Sequence, residues 1–287
     1  MKYLTIRWLS YPVIMVAIGI GITYAIATGL SYWPWVPALA LLGIACVAVL
    51  ERIQPYERAW LVDHKDSRTD RIHFVVNATV LFVSIELLSV LRSLAATGSA
   101  WPVSWPVWVQ IPIAMIIIDF GLFFMHWLSH RHEYLWRFHE AHHSSMRLYW
   151  LNGERRHPLH AVMMASPGLL FILLAGAPPN IIAAGLAILS VHLAFQHANL
   201  DYSVGIFRHA LGVAETHRWH HKKEYEDAQV NFGEMLMIWD HLFGTYHNPV
   251  RRLGFDEIGV HDPNAPATYQ GQLLRPFIRP HAARDAM

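Results

Sequence analysis

Four apolar runs, residues 12–30, 35–50, 72–91 and 107–125, leave this 287-residue chain few ways to fold. Inside a bilayer every backbone N–H and C=O must find its partner within the protein, and a run of this length meets that demand only as a helix. The second run is short against the roughly 20 residues that a crossing helix needs. Aromatic residues crowd the run ends (Trp8, Tyr11, Tyr32, Trp33, Trp35, Trp101, Trp105, Trp108 and Trp127), as interfacial belts require. Hydrophobic residues make up 54% of the chain and charged residues 15%, with a mean hydropathy of +0.27, a balance that belongs to membrane proteins. A net charge of +1 gives no reason to expect a nucleic-acid partner. Lys2 and Arg7 ahead of the first run imitate a signal peptide, but no small-residue cleavage site follows, so this segment reads as an uncleaved span.

Basic residues orient the chain. Residues 51–71 carry Arg52, Arg58, Lys65, Arg68 and Arg71, the link at 30–34 carries none, and the chain is again basic from Arg131 onward. Four spans with both termini in the cytoplasm satisfy the positive-inside rule. A further apolar hairpin, residues 161–197, is split by Pro178-Pro179; it is either a transmembrane pair or a shallow re-entrant hairpin. After Pro249 the chain holds Pro263, Pro266, Pro276 and Pro280 among few apolar residues, which predicts an extended cytoplasmic tail. The expected fold is an all-α integral membrane protein of about four transmembrane helices plus a short apolar hairpin, under a cytoplasmic histidine-rich helical cap. Its parts are an N-terminal membrane hairpin and connection (1–71), a catalytic region (72–248) and the tail (249–287). Cys46, the single cysteine, forms neither an internal disulfide nor a thiolate metal site, and reads as a packing residue.

The chain has 20 histidines, and they are not scattered. His126 and His130 are four apart, and His139/His142/His143 and His217/His220/His221 repeat one His-x₂-His-His pattern. Offsets of three and four put side chains on one helical face. Neutral imidazole binds iron, zinc, copper or nickel. Three such clusters supply more nitrogens than one metal takes, which points to a two-metal site. His192 and His197 close the apolar hairpin, where a histidine is costly without a task. An offset of five turns them about 140° apart on a regular helix, so they converge only if the helix ends or bulges between them. His197, and with it His192, is expected to be a ligand. Asp119, two turns before His126, is expected to accept an imidazole N–H. Glu86 either does the same elsewhere or makes a plain helix–helix hydrogen bond. His157 and His160 belong outside the ligands or on the surface. His64, His73, His209, His247, His261 and His281 read as polar anchors.

The His-x₃-His, His-x₂-His-His and His-x₂-His-His boxes after apolar spans resemble the fatty acid hydroxylase / sterol desaturase superfamily of membrane oxygenases. Local matches add to this: Asp119 ahead of the first box, His142-His143-Ser144-Ser145, Gln196-His197-Ala198-Asn199, Asn231-Phe232-Gly233, and Trp239-Asp240-His241-Leu242-Phe243-Gly244-Thr245. The likeness covers roughly residues 72–248. It departs in the hairpin pair, which the family often spaces by four and this chain by five. The resemblance implies a di-iron centre (two Fe ions, with zinc as a substitute in purified protein) and O₂ activation on a lipid. Its implied ligands are His126, His130, His139, His142, His143, His192, His197, His217, His220 and His221. Asp119, Asp240 and Asn231 are implied as their outer supports.

Such a centre takes a hydrogen from an unactivated C–H bond. Rebound gives an alcohol, the outcome expected here, and a second abstraction an alkene. Electrons must come from outside, because the chain has no dinucleotide fingerprint, cysteine pair or fused haem domain. A separate ferredoxin- or cytochrome-type donor with its reductase is implied, and a bacterial inner membrane as the setting. A rival exists in His139-Glu140-Ala141-His142-His143, which fits the zinc-protease pattern His-Glu-x-x-His. A protease needs three protein ligands and one metal, which leaves the other clusters without a task. A metal transporter would carry its ligands on the spans themselves, whereas here they follow the spans.

Overall fold

The computed structural model describes residues 2–94, 99–262 and 264–278. Its helices are α1 (Lys2–Ala27), α2 (Tyr32–Ile53), α3 (Ser67–Leu94), α4 (Val107–Ser129), α5 (Glu133–His143), α6 (Pro158–Ala175), α7 (Pro179–His197), α8 (Ala214–His220), α9 (Ile238–Phe243) and α10 (Tyr269–Ile278). Among the described residues, extended pairing is limited to isolated bridges such as Pro55 with Leu200.

Among the described residues, six helices are long and apolar enough to cross a membrane: α1 to α4, α6 and α7. The apolar hairpin has therefore resolved into two full helices, of 18 and 19 residues, joined at Gly176 and the following prolines. Gly176 closes α6 at φ 86°, a left-handed backbone that glycine adopts without penalty. The two halves differ in surroundings. In α7, 72% of the apolar window is buried inside the protein, against 12% in α3, so α7 is the central helix. It packs on α1, α2 and α4, and α4 packs in turn on α6.

Small residues set the closest of these contacts. A Cβ on Gly121 of α4 would stand 2.4 Å from the backbone nitrogen of Gly168 in α6, and one on Gly168 would stand 2.7 Å from Ile118 Cα. Without a hydrophobic drive between helices in lipid, such backbone-to-backbone contact is what packing energy comes from. The aromatic belts are present as exposed Trp8, Trp33, Trp35, Trp105 and Trp108. Tyr11 and Trp101 depart from that reading: both are buried, with Tyr11 Oη 2.8 Å from His192 Nδ1 and the Trp101 indole N–H donating to Gln110. Glu86 takes the helix–helix option, accepting from the Tyr32 hydroxyl. Cys46 is half-buried.

The cap over one end of this bundle is tied down by a buried ion network. Arg147 donates to both oxygens of Asp66, at 2.8 and 3.0 Å, and Arg155 to Asp70 at 2.6 Å. Tyr149 and Asn152 also donate to Asp70. The stretch after α5 is thereby fastened to the start of α3. The tail is a correction to the sequence reading: it is not simply extended, because α10 docks on α5 and α3. Arg275 ion-pairs with Glu140, and Gln272 lies 2.7 Å from His73 Nε2. His73 is accordingly a fully buried strut between α3 and α10 rather than a surface anchor. His281 lies outside the described residues.

The Gly121–Gly168 contact predicts an asymmetry between glycines. Gly121→Ala should destabilise the protein by about 1–3 kcal/mol through overpacking, read as a lower melting temperature in detergent. Gly19→Ala inside α1, whose added Cβ meets nothing within 4 Å, should not lower it.

Candidate metal centre

Nine fully buried histidines come together in two groups. One is His126, His130, His139, His143 and His220; the other is His142, His197, His217 and His221. Within each group the candidate ligand atoms lie within 4.8 Å of one another. The partition is not by motif. On α5, His139 and His143, one turn apart, serve the first group, while His142 on the adjacent flank serves the second. At α8 the assignment is reversed: His217 and His221 face the second group and His220 the first. The two groups adjoin, with the His143 and His221 ring centroids 4.7 Å apart.

The nitrogen spacing fits a metal. In the first group the Nε2 atoms of His130 and His143 are 3.2 Å apart, and those of His143 and His139 3.1 Å. In the second, His142–His197, His197–His217 and His217–His221 are separated by 3.3, 3.1 and 3.1 Å. Two nitrogens bound to one ion at about 2.1 Å and at right angles lie about 3 Å apart. Outer hydrogen bonds fix the tautomers that such binding needs. Nδ1–H of His126 donates to Phe232 O, that of His220 to Val230 O and that of His197 to Leu193 O. Each Nε2 is thus left as a bare lone pair turned inward. For His126 and His220 that atom is buried without any protein partner. Burial, with the neighbouring rings adding to it, holds His139, His142, His143, His217, His220 and His221 well below the ordinary imidazole range. They are neutral at pH 7, so no proton has to leave before a metal binds.

His192 is the expected ligand that the geometry does not bring to either group. Its Nδ1 lies 2.8 Å from the Tyr11 hydroxyl and its Nε2 3.1 Å from Gly212 O, so both ring nitrogens are spent on the packing of α1, α7 and the loop before α8. The five-residue offset from His197 has its physical consequence here: a regular helix points the two rings apart. Asp119 also differs from expectation. Its carboxylate accepts from Met235 N, Leu236 N and the Trp239 indole, not from an imidazole. Asp240 accepts from Phe232 N, Gly233 N and the Thr245 hydroxyl, and Asn231 holds Thr216 O and both the N–H and C=O of His247. All three therefore act one step further out: they clamp residues 231–236, which carry the Phe232 carbonyl that orients His126.

Some supports have no counterpart in the sequence reading. Glu234 is buried, with an oxygen 3.5 Å from His126 Nδ1 and the other 3.3 Å from Arg156. Its signal was available, as a lone acid before Met235-Leu236-Met237. Gln229 reaches His130 Nδ1 through its side-chain amide at 3.2 Å, and Tyr225 donates to the His130 carbonyl. The protease reading meets a direct obstacle. His139 and His143 sit among three further histidines, and Glu140 is ion-paired to Arg275 of α10.

Bundle and site together define a helical protein of the membrane-spanning kind with a buried histidine cluster able to hold metal. Residues 111–245 match the fatty acid hydroxylase family. The chain is 31% identical to the ornithine lipid hydroxylase OlsE of Rhizobium tropici, over 96% of this chain and 86% of that one. It is 27% identical to the alkylglycerol monooxygenase of Homo sapiens, over 58% of this chain but 37% of that longer one. Against the very-long-chain aldehyde decarbonylase GL1-9 of Oryza sativa the identity is 24%, over 71% of this chain and 81% of that one. No solved structure matches. This chain belongs to the fatty acid hydroxylase family, whose members above include hydroxylases and monooxygenases, and it is an oxidoreductase.

The geometry separates His192 from the nine in a testable way. Purified His192→Ala should keep its metal while losing thermal stability, as a buried tyrosine hydroxyl loses its partner. His220→Ala should lose metal from the five-histidine group, by more than the about 10- to 100-fold in affinity that follows loss of an outer partner. Metal per chain by plasma mass spectrometry reads both.

Proposed function

We propose that this protein is a membrane di-iron oxygenase that uses O₂ and external electrons to hydroxylate a C–H bond of a membrane lipid. The observation that carries this reading is the pair of buried, neutral, all-nitrogen histidine groups lying side by side at one end of an apolar bundle. Membership of a family that includes lipid hydroxylases supports the substrate class. Two iron ions held there would supply the oxidising chemistry that an unactivated C–H bond demands.

The chain's own residues do the rest. Phe232 O, Val230 O and Leu193 O keep His126, His220 and His197 in one tautomer and one orientation. The backbone-to-backbone contact of α4 with α6 and the central seat of α7 hold His126 and His197 on fixed helices, because metal sites lose function when their ligands are free to swing. Burial of all nine rings keeps bulk water from the centre, which protects a strongly oxidising site from side reactions. The ligands are drawn from helix ends at one end of the bundle, which suits a substrate whose chain lies in the bilayer. We place this end in the cytoplasm of a bacterial inner membrane, following the basic residues of 51–71 and 131 onward. A separate ferredoxin- or cytochrome-type protein would deliver electrons from that side.

Host cells expressing the protein or its His139→Ala variant would be grown under ¹⁸O₂ and their lipids weighed by mass spectrometry. One lipid species should gain a single heavy oxygen only with the intact protein. Loss of two hydrogens in its place would make the chain a desaturase. No change, with one zinc per purified chain, would sink the di-iron reading.

A further inference from the structure

We propose that His160, on α6, is the hydrogen-bond acceptor that holds His139 in its metal-binding tautomer, across one buried water molecule. The inference rests on the metal-centre reading above. His160 is fully buried and outside both histidine groups, with its ring centroid 4.8 Å from that of His139.

Hydrogen bookkeeping carries the argument. The Ser129 hydroxyl donates to Met125 O at 2.7 Å, so its single hydrogen is spent. Toward His160 Nε2, 2.9 Å away, the Ser129 oxygen can only accept, and that nitrogen must carry the ring's hydrogen. A neutral imidazole has one hydrogen, so His160 Nδ1 is a bare acceptor. It is buried and has no protein partner.

His139 presents the complement. Its Nε2 lies 3.1 Å from His143 Nε2, inside the first group, so as a ligand it must be the bare nitrogen. The hydrogen then sits on Nδ1, which is also buried and without a protein partner. Three of the nine histidines have such an Nδ1, namely His139, His142 and His217. Among the described residues, His139 is the one of these three whose ring adjoins a bare imidazole acceptor outside both histidine groups, His160 Nδ1. The two nitrogens make no direct hydrogen bond, and the link we propose is a water that gives and takes a hydrogen bond at once.

Ser129 thereby sets the tautomer of His160, and His160 that of His139. His160 is a positioning residue: it touches the ligand, not the metal. In the sequence it stands as a lone histidine after Pro158, and only folding α6 against α4 brings it to the first group.

Cobalt(II) is the probe, titrated into metal-free protein in detergent and followed by its visible absorption. The intact protein should bind two equivalents. His160→Leu should weaken one of them by about 10- to 100-fold and alter its absorption. His160→Asn, which can set its amide oxygen near the place of Nδ1, should recover most of the loss. Ser129→Ala frees His160 to move its hydrogen to Nδ1 and should weaken the same equivalent; it carries the test if the leucine variant does not fold. A folded His160→Leu or Ser129→Ala protein with unchanged affinity and spectrum would overturn the inference and leave the metal centre standing. So would an asparagine variant as weak as the leucine one. An intact protein that binds no cobalt would overturn the metal centre itself, and this inference with it.

Discussion

Nine imidazoles share one buried volume, and the rest of the structure answers to that fact. A buried polar nitrogen without a partner costs about 1–3 kcal/mol, and nitrogens crowded at 3.1–3.3 Å cannot all satisfy one another when several of them carry no hydrogen. The arrangement is stable only if the inward lone pairs are given to something positive and the outward N–H groups to something negative. Phe232, Val230 and Leu193 provide backbone carbonyls for the second need. Those carbonyls must in turn be held still. Asp119, Asp240 and Asn231 do that for residues 231–236, each accepting from or bridging main-chain groups that a loop would otherwise leave open.

Much of the membrane architecture was legible in the sequence because hydropathy reports directly on the solvent. The apolar runs became helices, and the split at Pro178-Pro179 became the turn between α6 and α7. The histidine boxes were legible because helical spacing makes a face. Their division into groups of five and four was not. Spacing within one helix cannot say which neighbouring helix each flank will meet, and here the flanks of α5 and α8 meet opposite partners. His192 misled for a related reason: two histidines on one apolar helix look alike until Tyr11 arrives from α1, 181 residues earlier.

Asp119 shows the same limit from the other side. Its position two turns from His126 was readable, and so was the expense of a carboxylate in an apolar run. Its partners were not, because they are backbone N–H groups at 235 and 236, donors that every residue but proline owns and that leave no mark in a sequence. Polar groups that act through the main chain are visible only after folding. The tail misled through its prolines, which suit an extended chain, yet Arg275 and Gln272 found Glu140 and His73 and drew α10 onto the cap.

The crossed allegiance of the two His-x₂-His-His boxes has a consequence for how the centre fills. Helix α5 offers two histidines to one group and one to the other, and the α8 box does the reverse. An ion entering either group would therefore hold two of the three helices that serve its neighbour, α5 and α8, and part of the ordering cost of a second entry would already be met. Loss of an ion from one group should then loosen its neighbour's hold as well, by less than it loosens its own, because α4 answers to one group alone and α7 to the other.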